Sequence, residues 1–200
     1  MIRWGMVIDL KRCVGCNSCS LACKTQNGTP PGIFYRRVLE RTSGKYPSVR
    51  KTYLPVQCMH CENPPCVEAC PSGVFSRRED GIVLVDSKKC YGARVCRIAC
   101  PYNAISFLEE IRPYYADDMT ETEKIWYKNH QKGTAEKCNF CVERIDQDLL
   151  PACVQACPTE AMKFGDLNDP RSEVSQLVRA RSGFQLQPEL GTNPSIFYVK

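Results

Sequence analysis

An α+β fold of small, internally duplicated modules, joined by irregular loops beneath a β-hairpin layer, is what this sequence predicts. Three observations carry the prediction. Fifteen cysteines stand among 200 residues, far above ordinary usage, and all fall within four motifs. Each motif closes as Cys-x-x-Ala-Cys, with Ala22, Ala69, Ala99 and Ala156 before the last thiol. Three motifs then run through Pro71, Pro101 and Pro158 into an apolar pair, Val74-Phe75, Ala104-Ile105 and Ala161-Met162. Such repetition marks a duplicated unit of strand, cysteine loop, helical turn and strand.

In chain order, residues 5–9 form a short apolar strand, and Lys11 and Arg12 lead into Cys13, Cys16, Cys19 and Cys23. The C-x2-C-x2-C-x3-C spacing is the bacterial ferredoxin iron–sulfur signature, whose fourth Cys ligates the other cluster of a pair. Gly15 permits the tight turn between thiols, and Cys19 and Cys23 share one face of a helical turn. Residues 24–57 hold no cysteine. Asn27-Gly28 and Pro30-Pro31-Gly32 are turns; residues 33–42 and 51–56 read as a hairpin around Ser43-Gly44-Lys45. That hairpin is expected to shield clusters from water, its aromatics Phe34, Tyr35, Tyr46 and Tyr53 serving as cover or as a face for a partner subunit.

The second motif holds Cys58, Cys61, Cys66 and Cys70, the third Cys90, Cys96 and Cys100, and the fourth Cys138, Cys141, Cys153 and Cys157. The lead-in Asp86-Ser-Lys-Lys-Cys90 echoes Asp9-Leu-Lys-Arg-Cys13. Residues 108–137 carry no ligand and read as packing or partner contact, with helix-forming composition over 121–129. His130 there reads as a solvated loop residue. His60, inside the second motif, reads as a hydrogen-bonding or shielding group, since that motif already has four thiols. The tail, 166–200, reads as a surface strap with a helix over 173–180 and an edge strand over 196–199.

Two other cysteine chemistries compete. An odd number of thiols packed two residues apart argues against structural disulfides. Zinc sites pair C-x2-C units across a longer linker; the fourth motif alone fits that, whereas the first and second crowd four thiols together and end in the ferredoxin pattern. The formal charge of +5 suggests a nucleic-acid footprint, but four thiolate clusters at about −2 each would bring the chain to about −3. The basic residues therefore read as compensation for buried negative groups. No nucleotide-binding, hydrolase or metalloprotease motif is present, no apolar run reaches membrane-span length, and the N-terminus lacks an export signal.

With these residues in hand, the chain resembles the electron-transfer (beta) iron–sulfur subunits of the dimethyl-sulfoxide-reductase superfamily of molybdopterin oxidoreductases. The resemblance rests on C-x2-C-x4-C-x3-C-P in the second motif, C-x2-C-x11-C-x3-C-P in the fourth, and the opening from Gly5 to Cys16 with Ala22-Cys-Lys-Thr25. It covers residues 3 to 165 and looks most like the arsenate, tetrathionate and thiosulfate types. It implies tandem ferredoxin-like (4Fe-4S dicluster) domains: residues 1–27 with 134–165 as the first and 54–110 as the second. Residues 28–53 would be a hairpin insertion, 111–133 a further insertion and 166–200 a C-terminal strap.

The resemblance also implies crossed ligation. One [4Fe–4S] cluster would take Cys13, Cys16, Cys19 and Cys157, a second Cys138, Cys141, Cys153 and Cys23, and a third Cys58, Cys61, Cys66 and Cys100. Cys90, Cys96 and Cys70 would hold the last, with Ala93 where the small family members carry Cys. Ala93 has no electron pair to donate, so a [3Fe–4S] cluster is expected there, the alternative being a fourth [4Fe–4S] with a non-Cys ligand. The implied role is a non-catalytic subunit relaying single electrons between a large molybdopterin subunit and a quinone- or cytochrome-linked partner, through a membrane anchor or a soluble carrier. Its compartment would be cytoplasmic, or periplasmic by co-export with a partner carrying the signal. A free-standing polyferredoxin shuttle is the alternative, and a zinc-structured nucleic-acid binder the remoter one.

Overall fold

The computed structural model describes residues 1–115 and 118–200. Strand β1 (Trp4–Asp9) leads through the first cysteine loop into helix α1 (Ser18–Asn27), and strands β2 (Arg36–Ser43) and β3 (Arg50–Gln57) form the hairpin. The second and third motifs supply α2 (Pro65–Glu68), β4 (Phe75–Arg77), β5 (Val83–Val85), α3 (Val95–Ala99) and β6 (Ser106–Phe107). Then come α4 (Glu121–Trp126), β7 (Ala135–Glu136), α5 (Val142–Ile145), α6 (Ala152–Gln155), β8 (Met162–Asp166), α7 (Glu173–Ala180) and β9 (Ile196–Val199).

The helix lengths follow from the residue after each closing thiol. In motifs two to four that residue is proline, which forces the preceding Cys toward extended backbone and ends the helix after four or five residues. Cys100, for example, sits at φ −81°, ψ 109°. Cys23 is followed by Lys24, so α1 runs on for ten residues to Gly28, whose φ of 56° closes it. The duplication expected from the lead-ins is visible: Asp9 Oδ1 accepts from the Lys11 amide at 2.9 Å, and Asp86 Oδ1 from the Lys88 amide at 3.1 Å.

β1 is the centre of a three-stranded sheet in the order β8-β1-β9, antiparallel to β8 and parallel to β9. Met6, Val7 and Ile8 are each almost wholly buried there. The two ends of the chain therefore close on one another. β7 pairs with β6, and β4 with β5. One apolar core gathers Met6, Ile8, Met59, Phe140, Ile196 and Tyr198; a second gathers Val74, Phe75, Ile105 and Phe107.

Three expectations need correction. The tail is more than a surface strap: α7 and the edge strand β9 stand where expected, but Ile196, Tyr198 and Val199 are fully buried. Residues 192–195 also bind the second motif, through Glu62 N to Asn193 O at 3.0 Å and Ser195 N to Met59 O at 2.9 Å. A run of four apolar and aromatic residues has to be buried somewhere, and β1 offers a free edge. The hairpin covers less than expected. Arg36, Val56 and Gln57 at its base are buried, whereas Leu39 to Ser43 and Arg50 to Thr52 are exposed, because the charged residues fall on both faces. Of its aromatics and those just before it, Tyr53 packs on Gly15, where an added Cβ would meet the ring at 2.3 Å, while Tyr46 is 93% exposed.

The third concerns His130, whose side chain is only 5% exposed. Its Nδ1 lies 2.7 Å from Glu136 Oε1 and its Nε2 2.9 Å from the Asn27 carbonyl, while Tyr35 donates to the other Glu136 oxygen at 3.1 Å. The insertion is thus tied to the end of α1, where Trp126 also packs on Gly28. Burial opposes the charged imidazole, but two facing acceptors outweigh it and raise His130 above its ordinary 6.5. A raised folded value contributes stability below pH 6.5 that is lost as pH rises through it, at up to about 1.4 kcal/mol per pH unit. Thermal unfolding of the holoprotein should therefore show a falling limb above pH 6.5, and His130→Asn should flatten it; an unchanged limb in that variant would refute the assignment. Among the described residues, no helix is long and apolar enough to cross a membrane.

Candidate metal centres

Thiols distant in sequence meet in this fold. Cys13, Cys16, Cys19 and Cys157 line one cavity, walled by Val38, Pro55 and Met162. Cys58, Cys61, Cys66 and Cys100 line a near-twin walled by Val83, Ile105 and Lys137. In both, three thiols come from one motif and the fourth from another. The remaining thiols form two further groups. Cys23 is pushed up to about 12 by burial and then by Cys153 and Cys141 beside it. Cys138 is raised by burial and then by Cys23, with Cys58, Cys141 and Cys153 also near. Cys96 is pushed up to about 11 by burial and then by Cys70 and Cys90.

These neighbours also order the groups. Cys153 of the second group feels Cys19 of the first, and Cys138 feels Cys58 of the third. Cys66 and Cys100 share an apolar cluster with Cys70, Cys90 and Cys96. Adjoining groups are therefore the Cys13 and Cys138 sets, the Cys138 and Cys58 sets, and the Cys58 and Cys90 sets. Cys16 is the one exposed thiol among the described residues.

Thiols crowded this closely in low dielectric resist ionisation unless a cation holds them as thiolates. The protein supplies donors to them. Backbone amides of Phe140, Ala161 and Ala135 reach Cys138, Cys157 and Cys90 at 3.4, 3.3 and 3.4 Å. Among the described residues, no three Cys, His, Asp or Glu side chains converge tightly enough for a single metal ion. Four thiols spread around a shared cavity, with amides aimed at sulfur, fit a polynuclear thiolate cluster better than one tetrahedral ion.

The Ala93 loop repeats the Cys16 loop closely. Gly15 and Gly92 have φ of 72° and 83°, and Asn17 and Arg94 have φ of 59° and 61° before a helix begins. Ala93 therefore occupies in the third motif the place Cys16 has in the first.

Two cations escape a reading of the sequence. Arg36 and Lys137 are each 2% exposed and both lie among thiols. Arg36 looks like any strand cation beside Arg37, and nothing local separates them. Lys137 had a signal: a basic residue precedes the first thiol of three motifs, as Arg12, Lys89 and Lys137. Lys137 Nζ donates to the Cys138 carbonyl at 2.9 Å. His60, expected to hydrogen-bond or shield, is fully buried, accepts from the Val83 amide through Nδ1 at 3.1 Å and stacks on Phe140 with centroids 3.7 Å apart. Burial, then the nearby Lys137, pushes it well below the usual imidazole range.

Known sequences carry the same organisation. A family model described as a 4Fe-4S dicluster domain matches residues 49–120 and 122–167, and another of the same description matches residues 12–74. The arsenate respiratory reductase iron–sulfur subunit of Shewanella sp. (strain ANA-3) is 40% identical over 226 residues, covering 100% of this chain and 97% of that one. The selenate reductase B chain of Mesobacillus selenatarsenatis is 43% identical, over 99% of this chain and 72% of its own. The tetrathionate reductase B chain of Salmonella typhimurium is 40% identical, over 98% and 72%.

Proposed function

We propose a function from the premise that this chain belongs to the iron–sulfur subunits of dimethyl-sulfoxide-reductase-type enzymes, as an electron-transfer subunit and not the catalytic one. In this reading it holds four clusters in a row and relays single electrons between a large molybdopterin-containing catalytic subunit and a quinone- or cytochrome-linked partner. The observation that supports it best is the pair of four-thiol cavities, each closed by a cysteine from a distant motif.

Cys13, Cys16, Cys19 and Cys157 would hold one [4Fe–4S] cluster, Cys138, Cys141, Cys153 and Cys23 a second, and Cys58, Cys61, Cys66 and Cys100 a third. Cys90, Cys96 and Cys70 would hold a [3Fe–4S] cluster beside Ala93. When bound, such clusters supply reversible one-electron chemistry. The chain's own work is to ligate, to exclude water and to set local charge. The apolar walls, such as Val38, Pro55 and Met162, keep water from the sulfurs. Amides of Phe140, Ala161 and Ala135 favour the more negative state at the thiolates they face. The exposure of Cys16 supports the first group as one terminus of the row, where a partner's redox centre would approach.

Two measurements test this. Anaerobically purified protein should contain about fifteen iron atoms per chain with matching acid-labile sulfide; zinc without sulfide would sink the iron–sulfur assignment. Purified from its native host, it should travel with a much larger pterin-containing chain. A monodisperse holo-monomer would favour a free polyferredoxin instead.

A further inference from the structure

Arg36 opens β2 and is 2% exposed, yet it has no carboxylate partner among the ion pairs of the described residues. Its contacts are sulfur atoms. Nη1 lies 3.6 Å from Cys153 Sγ and 3.6 Å from Met6 Sδ, and Nη2 lies against Met162 Sδ. Nε, wholly buried, has no partner. The thiols whose charge would act on it most are Cys153, Cys19 and Cys138, and Cys19 is also a hydrogen-bond partner. Cys19 belongs to the first thiol group and the other two to the second, so the guanidinium sits in the seam between them.

A guanidinium keeps its charge under all ordinary conditions. Buried without an anion it is strongly unfavourable, and neutral thiols and thioethers do not relieve that. The fold therefore places a fixed positive charge where only anionic thiolates can answer it. The third group has a buried cation of its own, since Lys137 lines its cavity and acts on Cys66 and Cys100.

We infer that Arg36 is the counter-cation shared by the first and second thiol groups, and that its charge raises the reduction potential of the clusters held there. The inference rests on the ligand sets proposed above. Adding an electron makes each group more negative, so a fixed cation beside it stabilises the reduced form. Arg36 acts through the thiolates and is a positioning and tuning residue. Its effect should be confined to two of the four groups.

The test is an EPR-monitored redox titration of the holoprotein as Arg36→Gln and Arg36→Lys, with iron and sulfide measured on each sample. The first and second clusters are identified by parallel Cys16 and Cys141 variants. Arg36→Gln should reduce the reduced-to-oxidised ratio of those two at least tenfold at a given poise, about 59 mV for one electron. The other two should stay in place, and Arg36→Lys should restore most of the shift. Full iron content with all four potentials unchanged would overturn the inference while leaving the ligand sets intact. If Arg36→Gln sheds the two clusters, retention in Arg36→Lys supports a need for charge; loss in both assigns Arg36 to packing and overturns the proposal. Absence of iron and sulfide from the unsubstituted protein would instead overturn the ligand sets.

Discussion

Cys23→Ala is expected to damage the cluster built by the fourth motif, although Cys23 lies eleven residues from Cys13 by inclusive count and over a hundred from Cys138. The reason is where α1 points its thiols. Cys19 and Cys23 are one helical turn apart, yet Cys19 lines the cavity of Cys13 and Cys16, while Cys23 is buried beside Cys141 and Cys153. Removing Cys23 would leave Cys138, Cys141 and Cys153 as a three-thiol group, like the one at Ala93. Iron should fall from about fifteen to between about eleven and fourteen atoms per chain, depending on whether that cluster is lost or shrinks to three irons. Spectroscopically, Cys23→Ala should resemble Cys141→Ala and differ from Cys16→Ala. A match to Cys16→Ala instead would refute the crossed arrangement. The converse also holds: Cys157→Ala should group with Cys16→Ala, since Cys157 lines the first cavity.

Ala93→Cys is expected to convert a three-iron site into a four-iron site. The loop is already shaped for it, with Gly92 and Arg94 repeating the backbone of Gly15 and Asn17. A thiol on Ala93 would therefore project as Cys16 does, toward a group otherwise held by Cys70, Cys90 and Cys96, and no backbone change is needed to complete the set. The oxidised parent should show the paramagnetic signal of a three-iron cluster at about one spin per chain, and the variant should lose nearly all of it while gaining about one iron atom. A parent without that signal would mean that a non-Cys donor completes a four-iron cluster. A signal that survives intact in a fully loaded variant would mean that position 93 does not face the cluster.

Local sequence rules were sufficient wherever a feature depends on residues a few positions apart. The α+β class, the strand at the N-terminus, the hairpin, α7 and β9 were all legible, because short-range alternation, turn residues and proline positions act over a few residues. The capping of α4 was also local: Thr120 and Glu123 bond reciprocally, the Glu123 amide to Thr120 Oγ1 at 3.2 Å and the Thr120 amide to Glu123 Oε2 at 2.8 Å. Burial was the weaker inference. His130 reads as a loop histidine until the insertion folds back on α1 and brings Glu136 and the Asn27 carbonyl to its two nitrogens. Arg36 and Arg37 are adjacent and chemically alike, yet one is fully buried among sulfurs and the other exposed with its guanidinium on the Asn103 carbonyl at 2.7 Å.

By itself, the sequence determined the donor chemistry. Fifteen thiols at ferredoxin spacing, closing on Ala-Cys and continuing in three motifs through proline, specify soft ligands, tight loops and short helical turns, all set by covalent neighbours. Tertiary structure decided which thiols face one another, which cations are buried between them, and that the last residues knit the two halves together. Those outcomes depend on closure of the chain, with β1 held between β8 and β9, and such long-range pairing is written in no single stretch of residues.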